Sequence, residues 1–111
     1  MKVNTYTMKP TPDNLTSRSV DNILYRDDIA ILHEFLPKGA EVPQHIVPYG
    51  VFIIILKGTL KIFIGDQYRQ SHSAGAVVEV PYATLAGVKN DNDEIAEFFV
   101  IKVNNKPAEV K

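Results

Sequence analysis

The chain consists of short runs of β-branched and aromatic residues, each ended by glycine, proline or a polar turn. Residues 29–36 stop at Pro37-Lys38-Gly39, and residues 51–56 turn at Lys57-Gly58 into residues 59–64. No segment shows the apolar period of a helix, and strands separated in this way are typical of all-β sandwiches and barrels. A length of 111 residues suits one domain with a single core.

The sequence divides into three parts. Residues 1–28 are loop-like and polar, with a short β-favouring stretch near the start, and we expect an N-terminal arm that packs on the barrel or on a partner subunit. Residues 29–103 contain the clear strands and form the predicted barrel. Residues 104–111 are a polar tail that we expect to fray.

Two segments place turn-forming residues at fixed distances. The first runs from Gly39 through His45 to Gly58, and the second from Gly75 through Pro81 to Asn90. This pattern resembles the two motifs of the cupin superfamily. The resemblance implies a double-stranded β-helix, the cupin jelly-roll barrel, and it places His45 at the first histidine of motif one.

The resemblance fails at the positions that usually bind a metal. Val47 stands where the family has its second histidine, Val51 where it has glutamate, and Ala86 where it has the last histidine. Ala83 replaces a glycine of the second motif. A transition metal needs three or four converging nitrogen, oxygen or sulfur ligands, so we expect neither a metal nor another cofactor. If a metal is bound, its ligands would be His45 with His33 or Glu97.

The other histidines and strand carboxylates have plainer interpretations. His33 shares a strand face with apolar residues and is expected in the core or at its rim, and His72 is expected in an exposed loop. Glu79 alternates with two valines and should face solvent. Glu97 shares the apolar face of its strand, so it would need a partner if buried, and His45 is a candidate for that partner.

His45 has a chemical use without metal, because a neutral imidazole suits proton transfer near pH 7. Some metal-free cupins, the sugar epimerases, use a histidine base with a tyrosine acid in the barrel. Tyr25, Tyr49 and Tyr82 are the tyrosines near the motifs, and the spacing selects none of them. A set of arginines for a nucleotide-sugar is also missing, since Arg18, Arg26 and Arg69 are scattered along the chain.

Strand alternation defines the wall of the barrel better than its chemistry. We expect a ligand-binding set of His45, Val47, Val51, Ile53 and Ala86, with further aliphatic residues beside them (Ile55, Leu60, Ile62, Val78 and Val80). Such a wall favours a small apolar or weakly polar ligand with one polar atom near His45. The alternative is that these side chains fill the interior as core.

Residues 51–56 are apolar on both faces, whereas a strand with one wet face alternates. Phe52, Ile54 and Leu56 therefore need a cover, either the N-terminal arm or a second subunit. Phe63 is a candidate extension of the same patch. Because cupins commonly pair through such faces, we predict a homodimer.

Composition excludes several function classes. The net charge is −1 without a clustered basic face, so we expect no nucleic-acid or membrane partner. The absence of cysteine excludes disulfides and a cysteine nucleophile. The first residues lack the apolar run of a signal peptide, and residues 51–56 are too few to span a bilayer, so we expect a cytoplasmic protein.

These observations favour a cupin that lacks the usual metal site and binds a small molecule, and they lean away from an enzyme. Two alternatives stay open. One is a cupin enzyme, either a dioxygenase or isomerase with non-standard metal ligands or a metal-free isomerase or epimerase using His45. The other is an assembly module that works through its apolar outer face.

Overall fold

The computed structural model describes residues 1–104, which form nine strands and no helix. The predicted all-β fold is confirmed. The strands are β1 (Ser19–Tyr25), β2 (Ile29–Leu36), β3 (Glu41–Ile46), β4 (Gly50–Lys57), β5 (Thr59–Ile64), β6 (Tyr68–Ser73), β7 (Val77–Val80), β8 (Leu85–Lys89) and β9 (Ala96–Val103). No helix long and apolar enough to cross a membrane occurs in this part of the chain.

The strands form two antiparallel sheets. One has the order β1-β2-β9-β4-β7 and the other the order β3-β8-β5-β6. The chain crosses between the sheets after β2, β3, β4, β6, β7 and β8, so neighbours in sequence mostly lie in different sheets. This winding is the predicted double-stranded β-helix.

Alternation along the strands produces the core between the sheets. In β4 the inward residues Val51, Ile53 and Ile55 are buried, and the outward residues between them are half-buried. Leu60 and Ile62 of β5 are fully buried opposite them. The period of two residues therefore aims one face of each strand at the core. The inward orientation expected for Val78 and Val80 is confirmed, and Glu79 between them is exposed.

Two frame residues of the motifs have clear structural duties. Asn90 is fully buried, and its Nδ2 donates to the carbonyl oxygens of Leu36 at 2.8 Å and Glu94 at 2.9 Å. Its Oδ1 accepts the backbone N–H of Asn92 at 2.9 Å. Gly58 has φ +76°, and a Cβ there would lie 3.0 Å from the Ile95 carbonyl oxygen. The spacing of these motif residues therefore reflects the hydrogen bonds and the tight backbone contact that the turns require.

The barrel begins earlier than the sequence suggested. Strand β1 lies inside the predicted arm of residues 1–28, and it pairs with β2 along the edge of the five-stranded sheet. The arm is thus the stretch before Ser19. Of the predicted tail, residues 105–111 lie outside the described residues.

The N-terminal arm crosses the outer face of the five-stranded sheet. Lys9 Nζ lies 3.7 Å from Asp21 Oδ1 on β1, and Thr11 Oγ1 reaches Glu97 on β9 and Lys57 on β4. The arm therefore reaches this face of the sheet at Glu97 and Lys57. Phe52, Ile54 and Leu56 remain half-buried.

Phe63 does not extend that patch, contrary to expectation. It belongs to the four-stranded sheet, on the other side of the sandwich, because β5 does not join the sheet of β4. The Arg69 guanidinium and the Lys61 ammonium lie 5.3 and 5.8 Å from the centre of its ring.

Candidate functional site: the barrel cavity

A β-bulge in β3 brings the motif-one histidine to the cavity. Val42 pairs with Val88 and His45 with Ala86, so two residues of β3 oppose Gly87 alone. A Cβ at Gly87 would lie 2.7 Å from the Val42 carbonyl oxygen and 2.9 Å from the Gln44 nitrogen, so only glycine leaves room for the bulge. The extra residue shifts the alternation, and both Val42 and His45 line the cavity.

All five residues of the predicted binding set lie on this one cavity: His45, Val47, Val51, Ile53 and Ala86. The cavity has a volume of about 80 Å³ and opens between the two sheets. Ile55, Leu60 and Ile62 do not line it and instead fill the barrel as core. The two interpretations offered by the sequence, pocket and filled core, therefore apply to different parts of the barrel. That these five side chains bind a ligand stays a prediction.

His45 lies at the exposed rim of the cavity rather than in the inner wall of the barrel, where strand alternation had placed it. Its side chain is exposed, and its Nδ1 lies 2.9 Å from the carbonyl oxygen of Pro43. Because a carbonyl can only accept, Nδ1 carries a proton. In the neutral ring Nε2 is then the nitrogen with a free lone pair.

The cavity is also lined by charged groups that were not predicted from the sequence. Glu34 of β2 faces inward with its side chain 3% exposed, and Arg18 Nε donates to its Oε1 at 2.8 Å. Both residues line the cavity. A signal was present, because adjacent residues of a strand face opposite sides and His33-Glu34 must place one polar group on each face.

A second cavity of about 310 Å³ adjoins the first at the turn between β1 and β2. The two cavities share Tyr49 and Lys102, and Tyr25 and Arg26 line the second one. Of the three tyrosines considered from the sequence, Tyr49 is the one on the barrel cavity. Lys102 was also missed, because nothing in its neighbourhood of the sequence marks it as inward-facing.

Glu97 is buried with His33 as its partner, not His45. His33 Nε2 lies 2.8 Å from Glu97 Oε2 on the outer face of the five-stranded sheet, where both side chains are almost fully buried. Glu97 Oε1 accepts the Thr11 hydroxyl at 3.2 Å. His33 Nδ1 is buried and has no partner among the described residues. This cluster lies across the sheet from the cavity that His45 lines.

The proposed non-standard metal set therefore does not converge, since His33 and Glu97 are separated from His45 by the sheet. Residues 1–104 hold no group of three histidine or carboxylate side chains that could bind an ion. At the motif positions Val47, Val51 and Ala86 offer no donor atom. The donor set does not fit the metal that the fold family implies.

His72 is not in an exposed loop, contrary to expectation. It lies in β6, half-buried, with its Nε2 2.6 Å from the hydroxyl of Tyr68 and its ring stacked on that tyrosine. The bond is part of the edge of the four-stranded sheet and lies away from both cavities described above.

Comparison with known proteins agrees with this architecture. No family model matches the chain. The uncharacterised protein MJ0764 of Methanocaldococcus jannaschii is 31% identical over 86 residues, which cover 78% of this chain and 74% of that protein. The crystal structure of MJ0764, an RmlC-like cupin with a double-stranded β-helix fold, superposes with a TM-score of 0.81 at 29% identity, covering 94% of this chain and 93% of that one.

The chain belongs to the cupin superfamily. More distant structures share the fold alone. A cupin superfamily protein of Desulfitobacterium hafniense has a TM-score of 0.77 at 15% identity over 86% of this chain and 84% of that one. The cupin domain of Schizosaccharomyces pombe Cnp3 has a TM-score of 0.73 at 17% identity over 79% and 65%.

Proposed function

We propose that this cupin binds a small molecule in the barrel cavity, with His45, Val47, Val51, Ile53 and Ala86 among the contacts. The observation that carries the proposal is that these five residues, drawn from separate parts of the chain, line one open cavity beside a fully packed core. Ligand sites are typically concave and apolar with a few polar groups that orient the ligand.

The size and lining of the cavity favour a short ligand that is both apolar and polar. A volume of about 80 Å³ holds only a few heavy atoms, so a longer ligand would extend through the mouth. Val51, Ile53 and Phe98 supply an apolar wall, and the Arg18–Glu34 pair supplies charge. From the sequence we expected an apolar or weakly polar ligand, whereas the charged pair favours a ligand with a more polar end.

The test is a titration of the labelled protein with 1-butanol, followed by amide chemical shifts. We expect shifts concentrated at Val51 and Ala86, and Ala86→Leu should abolish them because leucine fills the cavity. Ala74→Leu, at an exposed turn position, is the matched control and should titrate like the parent. Scattered shifts, or identical behaviour of the two variants, would count against binding in the barrel.

We further propose that binding needs neither a metal nor another cofactor. The support is chemical: one rim imidazole faces a wall of hydrocarbon at the other three motif positions. Elemental analysis of the purified protein should show no stoichiometric nickel, iron, manganese or zinc. A stoichiometric metal that is lost in His45→Ala would overturn this proposal.

A second candidate function is metal-free acid–base catalysis. It is favoured by one observation, that His45 and Tyr49 line the same cavity while Pro43 leaves the His45 Nε2 lone pair free. A histidine base and a tyrosine acid on one cavity suit proton exchange next to a carbonyl. The assay is deuterium uptake from heavy water by a mixture of small carbonyl compounds, read by mass spectrometry. Uptake that His45→Gln abolishes would support catalysis, and no uptake would leave binding alone.

We also propose a homodimer formed through the outer face of the five-stranded sheet. The support is that Phe52, Ile54 and Leu56 on this face are only half-buried, and that Val77 at the sheet edge is 62% exposed. Light scattering after size-exclusion chromatography should give twice the 12.4 kDa chain mass. A monomer at micromolar concentration would refute it. The cytoplasmic location stays a prediction.

A further inference from the structure

We infer that the barrel cavity selects an anionic ligand, a short carboxylic acid, and that Lys102 is the group that binds its carboxylate. This inference rests on the proposed small-molecule binding and adds the chemical class of the ligand. It starts from the charges that line the cavity, which are those of Arg18, Glu34 and Lys102, with the titratable His45 at the rim.

The single carboxylate in this set is already neutralised. Glu34 is almost fully buried and accepts the Arg18 Nε–H at 2.8 Å, so these two charges compensate each other. Lys102 has no ion pair or side-chain hydrogen bond to any residue in the range 1–104. The described lining of the cavity therefore carries one uncompensated positive charge.

The position of Lys102 makes that charge accessible to a ligand. It lies on the inward-facing parity of β9, paired with Ala30 and Val51, and it lines both the barrel cavity and the larger cavity beside it. The residue is half-buried, and its two register partners on the neighbouring strands are apolar. An ammonium in such a place has lost part of its hydration and gains from an anionic partner.

The shape of the site sets the orientation of the acid. Val51, Ile53 and Phe98 line the interior side, where a short hydrocarbon tail is favoured, and Ile55 belongs to the packed core beyond them. Lys102 also lines the second cavity of about 310 Å³, together with Arg26 and Asp27, and that volume leaves room for a carboxylate and its hydration. A short acid would place its tail inward and its carboxylate at Lys102.

The experiment compares three probes of the same length, butanoate, 1-butanol and butylamine, by amide shift titration of the full chain. In the parent protein butanoate should bind about tenfold more tightly than 1-butanol or butylamine, as expected for a hydrogen bond between charged groups. The preference should shrink several-fold between low salt and 0.5 M NaCl, because the mouth is open to solvent.

Lys102→Met should remove the preference for butanoate and keep 1-butanol binding, which also shows that the variant is folded. Lys61→Met is the matched control, because Lys61 lies on β5 of the four-stranded sheet, near the Phe63 ring and outside the cavity lining. It should keep the preference. Equal binding of the three probes to the parent, or a preference that survives Lys102→Met, would overturn the anionic ligand but leave small-molecule binding intact. Absence of binding by all three would overturn both proposals.

Discussion

Each face of the five-stranded sheet holds one buried carboxylate, and the two carboxylates have different kinds of partner. Glu34 faces the barrel and is paired with Arg18, whereas Glu97 faces outward and contacts His33, Thr11 and, at 3.7 Å, the Lys57 ammonium. His33 and Glu34, which point to opposite faces of the sheet, are adjacent in β2. A single strand thus contributes a polar group to each side.

The two sites differ in whether the basic partner, Arg18 or His33, can reach water when its carboxylate is removed. Arg18 is 38% exposed and permanently charged, so it can turn to water. His33 is fully buried and already has one nitrogen without a partner, so it has no route to water within the fold. The inner pair borders an open cavity, and the outer cluster accepts a hydrogen bond from Thr11 of the arm. We therefore assign the inner pair to the proposed ligand site and the outer cluster to stability.

The largest effect is expected for Glu97→Ala. Removing this carboxylate leaves both nitrogens of a buried imidazole unsatisfied, which should lower the free energy of unfolding by about 3 kcal/mol. Urea denaturation followed by circular dichroism measures the change. Glu79→Ala, on an exposed position of β7, is the control and should be near neutral.

Glu34→Ala should cost less, about 1 kcal/mol, because the Arg18 guanidinium can rehydrate. The same change frees a second positive charge on the cavity, so butanoate should bind several-fold more tightly than to the parent. Denaturation and the probe titration check the two parts. A stability loss equal to that of Glu97→Ala would show that the two faces do not differ as we argue.

Thr11→Val isolates the contribution of the arm. It removes a hydroxyl that bonds Glu97 and Lys57 while keeping the shape of the side chain, and it should cost about 1 kcal/mol. A double-mutant cycle with Glu97→Ala should show coupling of similar size, since the two residues are in contact. Thr5→Val, in the exposed part of the arm, should show no coupling with Glu97.

The smallest effect is expected at an exposed pair, Lys38 and Asp93, whose Nζ–Oδ1 distance is 2.6 Å. The hydrogen bond from Lys38, and then its charge, lower the pKa of Asp93 from the model-peptide value of 3.8, and the same pair raises the pKa of Lys38. For Asp93 the contribution to stability is present above pH 3.8 and disappears as the pH falls through the lowered pKa.

Thermal unfolding of Asp93→Asn against the parent should therefore differ slightly at neutral pH and converge at strongly acidic pH. High salt should also remove the difference, because both side chains are exposed. A difference that persisted in acid and in high salt would mean that Asp93 acts through its turn rather than through its charge.

Much of the barrel was predictable because its signals are local. Turn residues end the strands, alternation sends Val51 and Ile53 inward, and the spacing of Gly58 and Asn90 identifies the frame. The membership of Val47 and Ala86 in one cavity also followed from that frame. Strand β1 was missed because its sequence, from Ser19 to Tyr25, mixes polar and apolar residues at an edge where alternation is weakly constrained.

The pairings of the buried charges were not predictable in the same way. His33 and Glu97 are 64 residues apart, and the candidate partner that we named from the sequence was His45, which lies on the other face of the sheet. The rim position of His45 depends on a bulge that Gly87 permits across the strand pair. Local patterns therefore established most of the strands and their inward faces. Strand pairing decided which polar groups meet, because contacts across a sheet depend on register between residues far apart in the chain.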